Sequence, residues 1–566
     1  MTLVPAGFRM RADPATRLVA GGSVLAGGSP LRVLRLTPRG ARQVAAWLAG
    51  APVPDNVPAR ALARRLLDAG IAHPDPGGRA LPGPGLADVT VVIPVRDRHA
   101  ELACCLAGLR GMPRVIVVDD CSADPAAIAG IAAAAGARVL RRPVNGGPGA
   151  ARNTGLAAAG TDLVAFLDSD CVPRPGWLDR LLPHLADPAV GAVAPRIVPH
   201  AEAATWLARY EGVSSTLDMG ARPSIVRPGA RVSYVPGAAL VVRKSAAGTG
   251  FAEGMFVGED VDFVWRLAGS GWRVRYEPAA VMGHQHRVRL RAWFARRADY
   301  GTSAAALERR HPGAVRPLYA SWWTAGAWAA ALSGRPVLGA ALTGTATALL
   351  ARRLSRVTGE RFPFPSLREP DNSKKRSAEV AAWRLAFRLA GGGTLTAGRP
   401  LGSALSRTWW PLAIPAAVAV PRLRLPLAAL VLAPPLLDWA DRRPPLDPAR
   451  YVAARLLDDA AYSIGVWQGC LRHRTLRPLL PVIGPRRGGT RGAADGMHGL
   501  SLCGVSHGSL GIDTPARRRP LVPAGQRLGE FPALGLLDLV AASASGAGVA
   551  GTRPAAFVVG GGVFEV

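Results

Sequence analysis

Residues 89–97 read VTVVIPVRD, residues 115–122 read VIVVDDCS and residues 163–170 read LVAFLDSD. Each stretch begins with an unbroken apolar run rich in β-branched residues, which is typical of a parallel strand buried on both faces. In each stretch the apolar run is followed by aspartate. Because ligands of an open α/β sheet bind at the carboxyl ends of its strands, these acidic residues stand where a ligand is expected.

Helical stretches alternate with these strands. Residues 100–109, 128–135 and 149–159 predict helices, and residues 137–140 predict one more strand between the last two. The resulting βαβαβαβ order predicts a doubly wound α/β sheet, and we expect the domain that contains it to span residues 86–315.

A small separate module precedes this domain. Residues 17–35 predict short strands joined at glycine turns, and Thr37 is placed to cap a helix that starts at Pro38. A second helix is expected near 58–69. Strands followed by two helices and a returning strand resemble a winged-helix module, so residues 1–80 are predicted to form one.

The remainder of the chain is apolar and then of low complexity. Residues 316–484 predict a largely helical, membrane-associated region, but its apolar pieces at 320–350 and 409–437 are interrupted by arginine and proline. Neither piece is a clean span of roughly 20 apolar residues. A broken transmembrane hairpin, helices lying in the membrane interface and a buried helical subdomain all stay open. Residues 485–566 are expected to be a disordered or dispensable tail.

The charge of the chain is strongly positive. Its 566 residues carry 69 Lys and Arg against 39 Asp and Glu, which gives a formal net charge of +30. Such a charge favours anionic partners, whether a nucleotide diphosphate, an anionic lipid surface or a nucleic acid. The acids of the first module, Asp13, Asp55 and Asp68, interrupt any basic face there, so a nucleic-acid-binding function is disfavoured and no nucleic-acid partner is expected.

Cysteine usage indicates the compartment. None of the six cysteines forms a CxxC pair or a Cys/His cluster with zinc spacing, so we expect a reduced intracellular chain. The first eleven residues lack the apolar core of a signal peptide. The protein is therefore predicted to lie in the cytoplasm or on the cytoplasmic face of the plasma membrane.

The pair Asp168 and Asp170 is a candidate metal site. A divalent ion that binds a diphosphate needs hard oxygen ligands, and carboxylates at i and i+2 just past a buried strand can supply them. His284, which follows the strand-like stretch 272–281, can complete the site with a neutral imidazole. A surface turn and a structural histidine are the alternative interpretations.

Gly258-Glu259-Asp260 is a candidate catalytic segment. Asp260 is placed to act as a general base that deprotonates an acceptor hydroxyl as its oxygen attacks the anomeric carbon of a sugar. A single in-line displacement of this kind inverts the configuration at that carbon. A helix N-terminus whose acids favour the macrodipole is the structural interpretation, and it does not exclude the catalytic one.

A glycine-rich turn, NGGPGAARN at residues 145–153, opens a helix. Its backbone N–H groups and Arg152 can cradle a phosphate, although the motif is neither a Walker A loop nor a complete GxGxxG. A purely structural turn is the alternative. Asp97, Asp119 and Asp120 follow the first two strands and can take a ribose hydroxyl, a uracil edge or a metal.

Taken in order, these motifs resemble the family 2 glycosyltransferases, which have the GT-A fold, over about residues 88–286. VIP at 92–94, PGAA at 236–239 and GEDVD at 258–262 belong to the same resemblance. The departure is Cys121, where the family usually has glycine after the acidic pair.

The resemblance implies roles for particular residues. It implies nucleotide-sugar contacts at Pro94, Asp97, Asp119, Asp120, Arg152 and Asp168. It implies Mn²⁺ or Mg²⁺ held by Asp168, Asp170 and His284. It implies a catalytic segment of Glu259 and Asp260, with Asp260 as the base, and an acceptor contact at Gly237.

The overall arrangement of the chain, except for the tail after about residue 485, is similar to that of the mycofactocin-system glycosyltransferases. That resemblance includes GFRMRADP at 7–14 and GGSPLRVLRL at 27–36. It implies transfer of β-linked glucose from UDP-glucose to a small peptide-derived redox cofactor, with the first module similar to PqqD-like peptide-recognition domains. The apolar region supports the alternative of a lipid-linked or cell-wall glycan acceptor.

Overall fold

A computed structural model describes residues 2–19, 24–75, 82–200, 205–285, 289–359, 380, 382–484, 508–511 and 558–561. His286, the last residue of the stretch that resembles family 2, and most of the expected tail at 485–566 lie outside the described residues. Within that tail the strands at 508–511 and 558–561 pair antiparallel.

The N-terminal module has two helices and two small antiparallel sheets. Thr37 caps the first helix by accepting the Gly40 N–H at 3.1 Å, and Asn56 caps the second by accepting the Ala59 N–H at 3.0 Å. The apolar faces of both helices pack into one core, as the periodicity predicts. The elements are β1 (Met10–Ala12), β2 (Arg17–Val19), β3 (Val24–Gly27), β4 (Arg32–Arg35), α1 (Pro38–Leu48), α2 (Val57–Asp68) and β5 (Ala72–Pro74).

The central domain is built on a nine-stranded sheet in the order β10-β14-β11-β13-β9-β6-β7-β8, with β12 beside β14. Its first half contains β6 (Val89–Val95), α3 (His99–Ala107), β7 (Val115–Asp119), α4 (Pro125–Ala134), β8 (Arg138–Arg141), α5 (Gly147–Ala158), β9 (Leu163–Leu167) and β10 (Cys171–Pro173). Its second half contains α6 (Trp177–Leu181), β11 (Val190–Pro199), α7 (Trp206–Ser214), β12 (Ser224–Val226), β13 (Ala239–Arg243), α8 (Glu259–Gly269), β14 (Arg273–His284) and α9 (Leu290–Arg310).

The predicted α/β sheet is confirmed, but it is mixed rather than wholly parallel. Strands β6, β7, β8 and β9 pair parallel, whereas β13 runs antiparallel between β9 and β11. Alternate residues of the central strands enter two separate apolar cores, as Val92 and Ile93 do. The sheet is therefore buried on both faces, which is why its strands are continuous apolar runs.

The chain reverses its winding direction between β6 and β9. Strands β7 and β8 extend the sheet on one side of β6, and β9 adds on the other. The ladder between β6 and β9 stops at the pair Val92 and Phe166, whereas β6 stays paired with β7 as far as Val95 and Asp119. A crevice at such a switch point is the expected ligand site of an open α/β sheet.

The apolar region continues the fold as a set of helices. They are α10 (Trp322–Leu332), α11 (Pro336–Gly359) and helices at Trp410–Ala419, Arg424–Arg442 and Pro448–Arg472. The last helix lies against α9 so closely that a Cβ on Gly301 would stand 2.1 Å from the Tyr462 carbonyl oxygen, and one on Gly465 only 1.8 Å from that of Ala298. This helix is therefore an integral part of the catalytic domain's packing.

Much of the apolar surface of these helices is exposed. Among the described residues one helix, Pro421–Arg442, is long and apolar enough to cross a membrane by length and composition, with a mean hydropathy of 1.3 and 11% of its window buried. Exposed large side chains include Leu425 of this helix at 83%, and Trp322 at 66% and Leu412 at 60% on two other helices.

The N-terminal module is held to the domain by one buried and one partly exposed ion pair. Arg64 donates to Asp187 at 2.7 Å with both side chains almost wholly buried, and Arg273 pairs with Asp68 at 2.8 Å. Asp187 precedes β11 and Arg273 begins β14, so the module docks where these strands start. Their carboxyl ends lie at the opposite edge of the sheet.

Replacement of Asp187 by alanine should destabilise this interface. The change leaves the Arg64 guanidinium buried without its carboxylate, which typically costs about 3–5 kcal/mol. We expect a correspondingly lower free energy of unfolding in denaturant titrations. The control is Asp55→Ala, which breaks the exposed pair with Arg60 and should change stability by less than about 1 kcal/mol. Equal losses in the two variants would contradict a structural role for the buried pair.

Candidate active site

A cavity of about 180 Å³ lies at the carboxyl edge of the sheet. Pockets that enclose a drug-sized ligand measure roughly 300–1,000 Å³, so this one accommodates part of a nucleotide-sugar rather than all of it. It brings together six of the predicted site residues: Arg152, Asp168, Asp170, Glu259, Asp260 and His284. Five others lie outside its lining: Pro94, Asp97, Asp119, Asp120 and Gly237.

Arg152 is the centre of the site. Its side chain is buried, and it donates to Asp168 Oδ1 at 2.6 Å and to Glu259 Oε1 at 2.8 Å. The guanidinium carbon also stands 5.3 Å from the centroid of the Phe251 ring. Burial alone would lower the pKa of Arg152, but the charges of Asp168, Glu259 and Asp260 outweigh it and raise that pKa above its ordinary value.

Asp260 is oriented by two backbone groups. Its Oδ2 accepts the Gly237 N–H at 2.8 Å, and its Oδ1 accepts the Val261 N–H at 2.8 Å, in the first turn of α8. A Cβ on Gly237 would lie 2.9 Å from the Asp260 Cβ and 3.1 Å from the Arg152 Cζ. Only glycine allows this approach, so Gly237 positions the Asp260 carboxylate.

Glu259 is a buried partner of Arg152. Burial and the neighbouring charge of Asp260 raise the pKa of Glu259 to about 7, although Arg152 acts in the opposite direction. Glu259 lines the cavity, and its carboxylate forms an ion pair with Arg152. The structure thus gives Glu259 a positioning contact, and its predicted catalytic role stays a prediction.

Asp170 lies between two basic side chains. It forms an ion pair with Arg98, which follows β6, and its Oδ1 lies 3.5 Å from His284 Nε2. Burial would raise the pKa of Asp170, but hydrogen bonds and charges from His284 and Arg98 hold it below its ordinary value. The expectation that His284 follows a strand was wrong: β14 extends to His284, whose backbone pairs with Cys171 of β10.

The three predicted metal ligands are not assembled into one cluster. Among the described residues no group of three or more His, Cys, Asp or Glu side chains is arranged to hold a metal ion. Asp170 and His284 lie together, whereas Asp168 faces Arg152. The role of Asp168 as a metal ligand stays a prediction.

The carboxylates of the site nevertheless suit a divalent cation. Four carboxyl groups line the cavity, those of Asp168, Asp170, Glu259 and Asp260. Arg98 pairs with Asp170, and Arg152 pairs with Asp168 and Glu259. Mg²⁺ and Mn²⁺ favour carboxylate oxygens, and Mg²⁺ in particular uses few protein ligands when it also binds substrate phosphates. Asp170 with His284 can supply such a partial ligand set.

Asp120 holds the glycine-rich turn. Its two oxygens accept the Gly146 N–H at 3.0 Å and the Gly147 N–H at 2.8 Å, and Arg142 lies 2.9 Å away. Those turn N–H groups are therefore used within the fold. Asp120 is 4% exposed, so its contribution to a nucleotide site lies in the shape of the turn.

Asp119 and Asp97 differ in exposure. Asp119 is buried, accepts the Ser122 N–H at 2.9 Å and pairs with Arg141. Asp97 accepts the Ala123 N–H at 2.7 Å, and its side chain remains 47% exposed beside the crevice. Of the acidic residues that follow β6 and β7, Asp97 is thus the one available to a bound molecule.

One wall of the cavity comes from residues that sequence reasoning missed. Helix α9 contributes Arg296 and Tyr300, and the C-terminal helices contribute Arg407 and Tyr462. No motif marked these four positions. Arg98 was also missed, although its place directly after Asp97 at the end of β6 was a usable signal.

Two solved structures resemble this chain at low similarity. The mannosyltransferase PcManGT from Pyrobaculum calidifontis, in complex with GDP-Man and Mn²⁺, is 21% identical over 55% of this chain and 88% of its own, with a TM-score of 0.32. The glucosyl-3-phosphoglycerate synthase of Mycobacterium tuberculosis, in complex with Mn²⁺, UDP-Glc and phosphoglyceric acid, is 24% identical over 42% of this chain and 80% of its own, with a TM-score of 0.29.

Sequence relatives are much closer. The family model "Glycosyl transferase family 2" matches residues 90–247, which include the strand-end acids and Asp260's partner Gly237. The pre-mycofactocin glycosyltransferase of Mycobacterium tuberculosis is 42% identical over 492 residues, covering 85% of this chain and 99% of the relative. With the sheet described above, these matches confirm the predicted GT-A fold. The chain belongs to the mycofactocin-system glycosyltransferases of glycosyltransferase family 2.

Proposed function

We propose that this enzyme transfers glucose from UDP-glucose to the peptide-derived redox cofactor mycofactocin, forming a β-linkage with the help of Mn²⁺ or Mg²⁺. The observation that carries the chemistry is the oriented carboxylate of Asp260 beside the Arg152–Asp168 pair in one cavity. The acceptor is supported by the relative named pre-mycofactocin glycosyltransferase.

The proposed reaction is a single displacement. Asp260 accepts the proton of the acceptor hydroxyl while that oxygen forms a bond to the anomeric carbon of the sugar. The bond from this carbon to the diphosphate oxygen breaks at the same time, and its electron pair leaves with UDP. Attack opposite the leaving group inverts the configuration. Gly237 and Val261 keep the base in place through their N–H groups.

The divalent cation would be held by Asp170 and His284, with Asp168 next to them. When bound, such a cation neutralises the developing charge of the diphosphate leaving group. Asp97 is exposed beside the crevice and is assigned to the uridine, whereas Asp119, Asp120 and Pro94 shape the turns around it.

The N-terminal module is assigned the recognition of the peptide-derived acceptor, by its likeness to PqqD-like domains. Its ion pairs hold it near the start of β14, whereas His284 ends that strand. The 12-residue strand β14 spans roughly 40 Å between the module at its start and the cavity at its end. A peptide bound to the module would therefore have to be extended to reach the cavity.

The exposed apolar helices support a location on the cytoplasmic face of the plasma membrane. Trp322 and Leu425 project large apolar surfaces, and Arg422 and Arg424 stand beside them, as in helices at an anionic membrane surface. The described cysteines are all unpaired, in keeping with a reducing compartment. The same surface favours a second candidate function, in which the acceptor is a lipid-linked glycan.

Replacement of Asp260 by asparagine should abolish transfer without abolishing donor binding. The amide keeps the shape of the side chain but cannot take the proton, so turnover should fall by about 10²–10⁴-fold. The measurement combines UDP binding with mass spectrometry of pre-mycofactocin after incubation with UDP-glucose and Mn²⁺.

Wild-type protein should add a hexose to pre-mycofactocin in this assay. The exposed Asp179 provides the control variant Asp179→Asn, which should behave as wild type. Normal turnover in the Asp260→Asn variant would contradict the proposed base. Hexose transfer to a polyprenyl-phosphate glycan, with none to pre-mycofactocin, would select the second candidate function.

Replacement of Asp170 by asparagine should abolish the binding of the divalent cation. The change takes away a negative ligand, so the rise in melting temperature on addition of Mn²⁺ and UDP should disappear along with activity. Since Asp170 also pairs with Arg98, circular dichroism should first establish that the variant is folded. A folded variant with an undiminished Mn²⁺-dependent shift would exclude Asp170 as a ligand.

A further inference from the structure

Arg296 occupies an unusual place on the cavity wall. It lies on α9 with its guanidinium carbon 4.8 Å from the ring centroid of Tyr300, one turn farther along the helix. Both side chains line the cavity. Stacking on an aromatic face fixes the plane of a guanidinium and directs its N–H groups sideways, where they can meet an oxyanion in the same plane.

The arginines around Arg296 are neutralised within the protein. Three of them are ion-paired to carboxylates of the same buried cluster: Arg297 to Glu211 and Asp458, and both Arg407 and Arg455 to Asp459. For Arg296, by contrast, the described residues provide no carboxylate within ion-pair distance. Within the described part of the chain, the Arg296 guanidinium hydrogen-bonds to Tyr300 and lies near the charges of Asp299 and Glu259, but no carboxylate pairs with it directly.

The opposite wall carries the carboxylates of the site. Asp168 and Asp170 line the same cavity, and its volume of about 180 Å³ brings any group bound there near both walls. An anion entering between them is repelled by the carboxylates, so it needs positive charge from elsewhere in the wall. In the proposed reaction the anionic group placed there is the donor diphosphate.

We propose that Arg296, supported by Tyr300, binds the diphosphate of the nucleotide-sugar donor and stabilises it as the leaving group. This inference rests on the proposed function. As the bond to the anomeric carbon breaks, negative charge grows on the diphosphate, and charge-assisted hydrogen bonds from a fixed guanidinium strengthen with it. Arg296 is then the cationic contact on the α9 side, and the divalent cation is the contact on the Asp170 side.

The test compares binding of three probes to full-length protein by calorimetry with Mn²⁺ present: inorganic pyrophosphate, UDP and uridine. Arg296→Gln should weaken pyrophosphate and UDP binding by roughly 10- to 100-fold, as expected for loss of hydrogen bonds to a charged group, and should leave uridine binding unchanged. The control Arg291→Gln removes an exposed arginine from the same helix and should match wild type. Unchanged pyrophosphate and UDP affinities in Arg296→Gln would overturn the proposal.

A second variant guards against loss of folding. Arg296→Lys keeps the charge but loses the planar fork, so its pyrophosphate affinity should lie between those of wild type and Arg296→Gln. Tyr300→Leu, which removes the stacking surface, should weaken pyrophosphate binding more than Tyr300→Phe. Equal affinities in wild type, Arg296→Lys and Tyr300→Leu would also overturn the proposal.

Kinetic measurements show whether Arg296 binds the donor diphosphate or a carboxylate of the acceptor. A raised KM for the acceptor with unchanged pyrophosphate affinity would mean that Arg296 meets an acceptor carboxylate, which contradicts the diphosphate assignment. The proposed function fails independently if wild-type protein transfers no sugar to any acceptor tested. If wild type transfers sugar and Arg296→Gln binds pyrophosphate normally, only the role of Arg296 fails.

Discussion

The buried guanidinium of Arg152 joins the two halves of the site. It ties Asp168, at the end of β9, to Glu259, at the start of α8, and these residues lie far apart in the sequence. A buried arginine is tolerated only with close carboxylate partners, because an unpaired charge in that position would be very costly. The position of α8 relative to the sheet, the need for glycine at Gly237 and the orientation of Asp260 all follow from this arrangement.

The sequence predicts those parts of the fold and site that depend on short-range patterns. The strands with Val89–Val95 and Leu163–Leu167, the helix caps and the aspartates after the strands were all predictable, because burial on both faces and capping each leave a local signature. Asp119 and Asp120 show the limit of such patterns. The sequence indicates that an acid ends the strand, but only the fold shows that the oxygens of Asp120 are already taken by the turn N–H groups of Gly146 and Gly147.

The far wall of the cavity was not predictable for a different reason. Tyr462 reaches the site because the helix Pro448–Arg472 packs against α9 at the distance that Gly301 and Gly465 allow. Arg407 joins it through an ion pair with Asp459 of the same helix. Such packing depends on residues far apart in the chain and leaves no periodic signal. The apolar helices thus complete the cavity as well as presenting the exposed surface assigned to the membrane.

The proposed reaction is one displacement at the anomeric carbon, in which Asp260 is the base on the acceptor side. The configuration of the first product tests this claim most directly, and ¹H NMR of the anomeric proton in glycosylated pre-mycofactocin reports it. UDP-glucose is α-configured, so the account predicts a β-linked product with the large coupling constant of an axial anomeric proton. An α-linked product would contradict the single displacement and, with it, the role assigned to Asp260.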